Sequence, residues 1–351
     1  MNKHRFAILA NEDKKNTAKW TRACERFNQN YIIIDMIDDN WIDNIHNYQP
    51  ECCLIMPSVN LSYYKKMYDE KLYILSEVLN YFIYPSYVEC IIYENKRLLS
   101  YYLKAHKIPH PKTYVFYDRE KAQIFAANTK YPIVGKMNLG SSGAGIDILD
   151  NRNSVNNYIK KAFSKKGLKR RFGPNKKVGN PKQWTKKALR SPQFFINKIK
   201  SYIKDYNNNQ KHFVIFQEYI PHEYEWRAVK IDGSFFAHKK LKVGNKASGT
   251  KEKIYDNPPL TLLNFARQLC EKYNYTSMSM DIFEDQEGNY LVNELQTIFG
   301  QSDKFQMLVD REPGRYVFQD GDWIFEKGYF NRNECFDLRL QHAINILEGN
   351  R

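Results

Sequence analysis

The first glycine of the chain is Gly135. A dinucleotide-binding loop after the first strand of a doubly wound sheet needs closely spaced glycines, so that loop is excluded from the N-terminal part. Long apolar runs are missing too. Tyr31–Ile34 is broken by Asp35, and no run approaches the roughly 18 residues of a membrane helix. Met1–Arg5 and the brief apolar run before Asn11 are too short for a secretory leader. The six cysteines show no C-x-x-C spacing, and Cys52 and Cys53 are adjacent. Buried thiols in a reducing cytosol are expected in place of disulfides or zinc. Residues 151–204 lack any Asp or Glu. A soluble, cytoplasmic protein without a membrane span is the expectation.

What is present completes the class. The 351 residues suit two domains or three, and 42% hydrophobic residues supply a core and exclude global disorder. The formal charge is +15, but residues 151–204 alone carry 17 Lys and Arg, so the remainder sums to −2. The protein is thus a near-neutral globule with one basic segment. That segment reads equally as a solvated insertion or as a surface for an acidic polymer or anionic membrane.

Short apolar runs at Phe6–Ala10, Tyr31–Ile37 and Cys52–Met56 read as buried strands, with helical spacing at Ala18–Phe27 and Leu61–Leu79 between and after them. Strand–helix alternation predicts a parallel sheet over residues 1–92. A helix is expected from Tyr93 to Lys107, then strand Thr113–Tyr117, helix Arg119–Asn128 and strand Pro132–Met137. The segment Gly140-Ser141-Ser142-Gly143-Ala144-Gly145 follows, before strand Ile146–Leu149. Strand His212–Tyr219 resumes after the basic segment. Trp226–Ile231 and Ser234–Leu241 form a hairpin around Asp232-Gly233, Leu262–Tyr273 is helical, and Ser277–Phe283 pairs with Asn289–Leu295 around Glu287-Gly288.

Three places carry chemistry. The Gly/Ser loop, flanked by strands on both sides, offers backbone N–H groups and hydroxyls to phosphates, with Lys136 just ahead of it; taken alone, such a loop is more often a plain surface hairpin. Gln217-Glu218-Tyr219-Ile220-Pro221 ends an apolar strand and can present backbone groups to an adenine edge, with Glu225 near for ribose hydroxyls. The second hairpin is sharper. A turn centred on Glu287-Gly288 sets Asp281 opposite Glu294, with Gln296 on the same face. Two facing carboxylates repel unless a cation lies between them, and with an amide oxygen they suit Mg²⁺.

Taken in order, these residues resemble the ATP-grasp superfamily over roughly residues 93–310. The resemblance implies an ATP-grasp fold of two α+β subdomains, residues 93–220 (a lid, with a basic insertion at 151–210) and 221–351, preceded by the small α/β domain of residues 1–92. It implies ATP, with one or two Mg²⁺ (or Mn²⁺), as cofactors. Phosphates fall to Lys96, Lys136 and the loop residues Gly140, Ser141, Ser142, Gly143 and Gly145, adenine to Glu218, Tyr219 and Ile220, and ribose to Glu225. The metal falls to Asp281, Glu294 and Gln296, and the transferred phosphate to Arg227, Lys240 and Lys242. Two positions depart from the family: Gln296 stands where Asn is usual, and Ser279 where many members carry Arg. The stretch Glu294–Gly300 with Pro313-Gly314-Arg315-Tyr316 is also similar to ATP-grasp proteins that accompany bacterial surface-polysaccharide gene sets.

Members of this family join a carboxylate to an amine through an acyl phosphate, so the implied partners are a carboxylate, small or polymer-linked, and an amine donor. Two other classes stay open. One is an ATP-binding protein without ligase chemistry. The other is a nucleic-acid-binding module built on the basic segment, with Phe172, Trp184, Phe194 and Phe195 among its cations.

Overall fold

A computed structural model describes residues 2–59, 61–140, 145–169, 209–243, 246–247 and 252–349. Ser141, Ser142 and Gly143 lie outside the described residues, as does most of the basic segment.

The N-terminal part is the parallel sheet that strand–helix alternation predicts. Strands β1 (Arg5–Ala10), β2 (Asn30–Asp35), β3 (Cys52–Ile55) and β4 (Ile83–Tyr84) pair in the order β2-β1-β3-β4. Helices α1 (Ala18–Arg26), α2 (Trp41–Tyr48), α3 (Ser62–Tyr73) and α4 (Tyr87–Ile92) surround it. The pattern read as one helix to Leu79 ends earlier: α3 passes at Tyr73 into a π turn, Ile74–Val78. The helix expected from Tyr93 begins instead at Lys96, because Asn95 caps α5 (Lys96–Ala105), its side chain accepting from Leu98 N at 3.3 Å.

A four-stranded antiparallel sheet follows. It comprises β5 (Thr113–Phe116), β6 (Ile133–Lys136), β7 (Ile146–Leu149) and β8 (Val214–Glu218) in the order β5-β8-β6-β7, with α6 (Arg119–Asn128) and α7 (Arg152–Ala162) packed against it. Lys136 pairs with Ile146, so the glycine loop joins two neighbouring strands, as its flanks predict.

The largest sheet carries β9 (Tyr224–Ile231), β10 (Ser234–Val243), β11 (Lys246–Ala247), β12 (Lys253–Ile254), β13 (Ser277–Glu284), β14 (Tyr290–Gln296), β15 (Leu308–Val309), β16 (Glu312–Gln319) and β17 (Asp322–Lys327). Its strand path runs β14-β13-β9-β10-β16-β15. Period-two alternation separates its faces: one is apolar, and the other is apolar around Val229, Ile231 and Phe236 and charged around Glu225, Arg227, Lys240 and Asp281. Met278, Met280 and Ile282 of β13 enter a core with Trp226, Ala228, Phe235 and Ala237, covered by α5 and by α8 (Leu260–Lys272). Ser277, Ser279 and Asp281 alternate with them and are buried on the opposite face.

The second hairpin differs from the expected register near its turn and matches it at the site. Ile282–Glu284 pair with Val292, Leu291 and Tyr290, a register centred on Glu287. A bulge then intervenes, after which Asp281 faces Glu294 and Ser279 faces Gln296. The extra residue is Asn293. Its insertion explains why Val292 and Leu295, three apart, both reach the same core.

The chain end returns to the N-terminal sheet. Phe336, Leu340, Ala343 and Ile344 of α9 (Phe336–Leu347) share a core with Phe6, Ile8, Trp20 and Leu54. Trp20 stands edge-on to Phe336, centroids 4.8 Å apart, and donates from its indole to Ile55 O at 2.9 Å. Trp20→Ala should therefore cost about 3–5 kcal/mol in chemical denaturation; a loss below about 1 kcal/mol would show that this cluster does not hold the helix.

Candidate active site

The polar face of the large sheet gathers the charged residues. Arg227 lies opposite Asp281 across β9–β13, and Lys240 opposite Glu225 across β10–β9. Arg227 donates to both Asp281 oxygens, at 2.8 and 3.0 Å, and Lys240 Nζ reaches Asp281 Oδ2 at 2.6 Å. Burial alone would raise the Asp281 carboxyl, but the Arg227 guanidinium, and then Lys240, hold it well below the usual carboxylate range. Lys240 is raised in turn, its burial outweighed by Asp281 and Glu225.

From this pair the contacts run in two directions. On one side Lys240 donates to Glu225 Oε2 at 3.0 Å, Asn293 Nδ2 donates to Glu225 Oε1 at 3.2 Å, and Lys136 Nζ donates to Asn293 Oδ1 at 2.9 Å. On the other, Arg227 donates to Gln296 Oε1 at 3.2 Å and Gln296 Nε2 to Glu294 Oε2 at 2.8 Å. Lys96 Nζ lies 3.4 Å from Glu294 and 3.6 Å from Glu94, and donates to Gly140 O at 2.9 Å. One connected network thus joins the loop after β6 to the metal candidates across two sheets.

The loop is fixed at both ends. Lys96 N donates to Asn138 O, and Arg97 N to Asn138 Oδ1 at 2.8 Å, so the start of α5 grips the exit of β6. At Gly145 a glycine is required: φ is +89° and a Cβ would meet Met137 Cβ at 2.9 Å.

Most sequence-predicted residues are brought together: Lys96, Lys136, Gly140, Glu225, Arg227, Lys240, Asp281, Glu294 and Gln296 share the network. Lys242 does not join it directly; its Nζ donates to Tyr219 OH at 2.9 Å, tying β10 to the expected adenine segment. There Glu218 Oε1 accepts from Lys112 N at 2.9 Å, and Ile220 O accepts from the His222 ring at 2.7 Å. The carboxylate of Glu225 is buried between Lys240 and Asn293.

Two residues escaped the sequence reading. Asn293 was hidden by strict alternation, which puts it on the apolar face until the bulge turns it over. Arg339, from α9, is fully buried and donates to Ser277 Oγ at 2.9 Å, its guanidinium 4.5 Å from the Phe299 ring centroid. It enters beside Ser279, whose Oγ, like Arg339 Nη2, is buried without a partner among the described residues.

The donor set fits a hard divalent cation: Asp281, Glu294 and Gln296 offer oxygens only. Among the described residues no cluster of three His, Cys, Asp or Glu side chains could hold a metal unaided. The cations Lys96, Lys136, Arg227 and Lys240 are matched by Glu94, Glu225, Asp281 and Glu294. Burial, reinforced by Lys96, pushes the Lys136 ammonium down to about 8.

That value sets a pH dependence. Lys136 is charged below about pH 8 and neutral above it, so ATP affinity should be full below that pH and fall as pH rises through it. Lys136→Met should weaken ATP binding by about 2 kcal/mol or more and flatten the profile. Calorimetry finding equal affinity for the parent at about pH 7 and pH 9 would contradict this.

No family model matches the chain. Among curated proteins it is 26% identical over 234 residues to the alpha-aminoadipate–LysW ligase LysX of Saccharolobus solfataricus, covering 64% of this chain and 68% of that protein. Among solved structures it resembles D-alanine–D-alanine ligase from Bacillus anthracis with a TM-score of 0.56 at 12% identity, over 99% of this chain and 100% of that one. An ADP complex of N5-carboxyaminoimidazole ribonucleotide synthetase gives the same TM-score, 0.56, at 12% identity, over 86% of this chain and 72% of that one. The Staphylococcus aureus N5-carboxyaminoimidazole synthetase gives 0.55 at 9% identity, over 100% of this chain and 80% of that one. The structural likenesses show the ATP-grasp fold, and the sequence match is to a ligase.

Proposed function

We propose that the enzyme activates a carboxylate by phosphorylation from ATP and then passes the acyl group to an amine, releasing ADP and phosphate. The observation that carries this reading is the single network running from Lys136 and Lys96, at the glycine loop, to Asp281, Glu294 and Gln296. Its two ends, Lys136 and Lys96, supply cations for phosphates beside the loop, and the oxygen donors for Mg²⁺ lie between them.

The roles follow from position. Lys136 and Lys96 neutralise phosphates beside the loop, while Glu218, Tyr219, Ile220 and Glu225 frame the base and ribose. Arg227 and Lys240 face the transferred phosphoryl, and Lys242 steadies Tyr219. Such transfers depend on alignment and charge neutralisation more than on covalent participation by the protein. Bound Mg²⁺ would bridge phosphate oxygens and offset their charge. Arg227 arrives from β9 and Arg339 from α9, so positive charge reaches the region even though Ser279 supplies none.

The acyl substrate is a small or polymer-linked carboxylate: an amino acid, a peptide terminus or a sugar acid, including one of a surface polysaccharide. The name of the LysX relative specifies joining of α-aminoadipate to LysW, which supports amino acids and a carrier-bound partner as the first classes to screen. No helix of the described residues is long and apolar enough to cross a membrane; with six buried free cysteines, a cytoplasmic enzyme is the reading we favour. Residues 170–208 lie outside the described residues, and an acidic polymer or anionic surface remains the partner proposed for the basic segment.

The test is ADP release from Mg-ATP that requires both a carboxylate and an amine, across panels of amino acids, peptides and sugar acids. Glu294→Gln keeps the side-chain size and removes its charge, and should lower turnover by about 10²–10³. Parental turnover in Glu294→Gln would remove the metal assignment; ADP release indifferent to any amine would remove the ligase reading.

A further inference from the structure

Asn293 joins the carboxylate assigned to ribose to a lysine assigned to phosphate. Its Nδ2 donates to Glu225 Oε1 at 3.2 Å, and its Oδ1 accepts from Lys136 Nζ at 2.9 Å. The partners force the orientation of the amide, because a carboxylate only accepts and an ammonium only donates.

The three side chains come from three strands. Lys136 ends β6 in the four-stranded sheet, Glu225 lies on β9 of the large sheet, and β13 separates β9 from β14. Regular pairing would set one residue of β14 opposite each residue of β13. Instead Asp281 faces Glu294 and Ile282 faces Val292, which leaves Asn293 without a partner on β13. Bulges re-aim side chains, and this one sends an amide across β13 to Glu225.

Both partners keep capacity for a ligand, although both are buried. Among the described residues Asn293 is the only hydrogen-bond partner of the Lys136 ammonium, so the other N–H groups remain for phosphate oxygens. Glu225 accepts from Asn293 at Oε1 and from Lys240 at Oε2, and each oxygen has a second lone pair for a hydroxyl. Lys240 holds only Oε2. The amide at Oε1 is what stops the carboxylate from turning, and the amide is itself anchored by Lys136.

We propose that Asn293 is a positioning residue for the nucleotide: anchored by Lys136, it fixes the Glu225 carboxylate and so makes the site select an intact ribose over its deoxy analogues. The inference rests on the nucleotide roles proposed above for Glu225 and Lys136 and deepens them, because neither residue alone sets the geometry between the sugar and phosphate contacts. A deoxynucleotide leaves a lone pair of the buried carboxylate without its hydroxyl, and a site built around such a bond rejects the analogue that lacks it. The selection is as sharp as the carboxylate is fixed.

The test is calorimetric titration of the full chain with Mg-ADP, Mg-2′-deoxy-ADP and Mg-3′-deoxy-ADP. The parent should bind ADP about tenfold or more tightly than at least one deoxy analogue. Asn293→Leu has a similar branched shape and removes both hydrogen bonds. Asn293→Asp keeps an acceptor for Lys136 and sets a second carboxylate against Glu225. In both variants the ratio of ADP to deoxy-ADP affinity should fall toward unity. Lys136→Met leaves the amide without its anchor and should lower the same ratio, whatever it does to affinity overall. A residue that only packs the bulge would weaken ADP and its deoxy analogues alike and leave the ratio unchanged. An unchanged ratio in either folded Asn293 variant overturns the proposal, as does a parent that binds ADP and both deoxy analogues equally; an unchanged ratio in Lys136→Met overturns the anchoring. Glu225→Gln separates these failures from failure of the site reading. A ratio lost in Glu225→Gln but kept in the Asn293 variants leaves Glu225 at the ribose and removes only the positioning role. Amine-dependent ADP release by the parent in any of these cases leaves the ligase reading standing.

Discussion

Asp281 is the buried charge on which the site is organised. A lone carboxylate at that depth would be costly, and removing either cation from a buried pair typically costs several kcal/mol. Here Arg227 and Lys240 meet it from neighbouring strands, and their geometry fixes the rest. Arg227 orients Gln296, which orients Glu294; Lys240 orients Glu225, which orients Asn293 and through it Lys136. Each group is satisfied by the next, so the four-stranded antiparallel sheet and the large sheet share one polar seam. That seam is the site to which the proposed ligase reading assigns phosphates and metal.

Strand alternation and one departure from it make the seam. Alternation puts methionines and isoleucine of β13 into the core and its serines and aspartate on the other face. The bulge at Asn293 then adds a polar side chain to that face without removing Val292 or Leu295 from the core. The extra residue gives Lys136 its hydrogen-bond partner on β14. The closure of α9 onto the first sheet does comparable work at the far side, delivering Arg339 to Ser277.

Much of this was legible in the chain. Short apolar strands, the Asp232-Gly233 and Glu287-Gly288 turns, and the run of Lys, glycine loop, hinge and paired acids fixed the class and nearly every network member. The pairing of Asp281 with Glu294 was foreseen from a turn centre displaced by half a residue; the bulge compensates for that displacement. Asn293 and Arg339 were not legible, because one depends on a local bulge and the other on a helix that packs far from its sequence neighbours. The start of α5 was misplaced by three residues because apolar spacing continues through Tyr93, whereas the Asn95 cap decides where the helix begins.

Because the cations already hold the carboxylates, a divalent ion alone gains little: it would add charge to a balanced, buried cluster and compete with Arg227 and Lys240 for Asp281. Phosphates arriving with the ion would draw those cations toward themselves and leave the carboxylate oxygens of Asp281 and Glu294 to hold it. Metal and nucleotide should therefore bind together. The direct measurement is calorimetric titration of Mg²⁺ into the nucleotide-free protein and into the protein with ADP. The account predicts no saturable Mg²⁺ binding in the first case and stoichiometric binding in the second. Tight, saturable Mg²⁺ binding without nucleotide would contradict it.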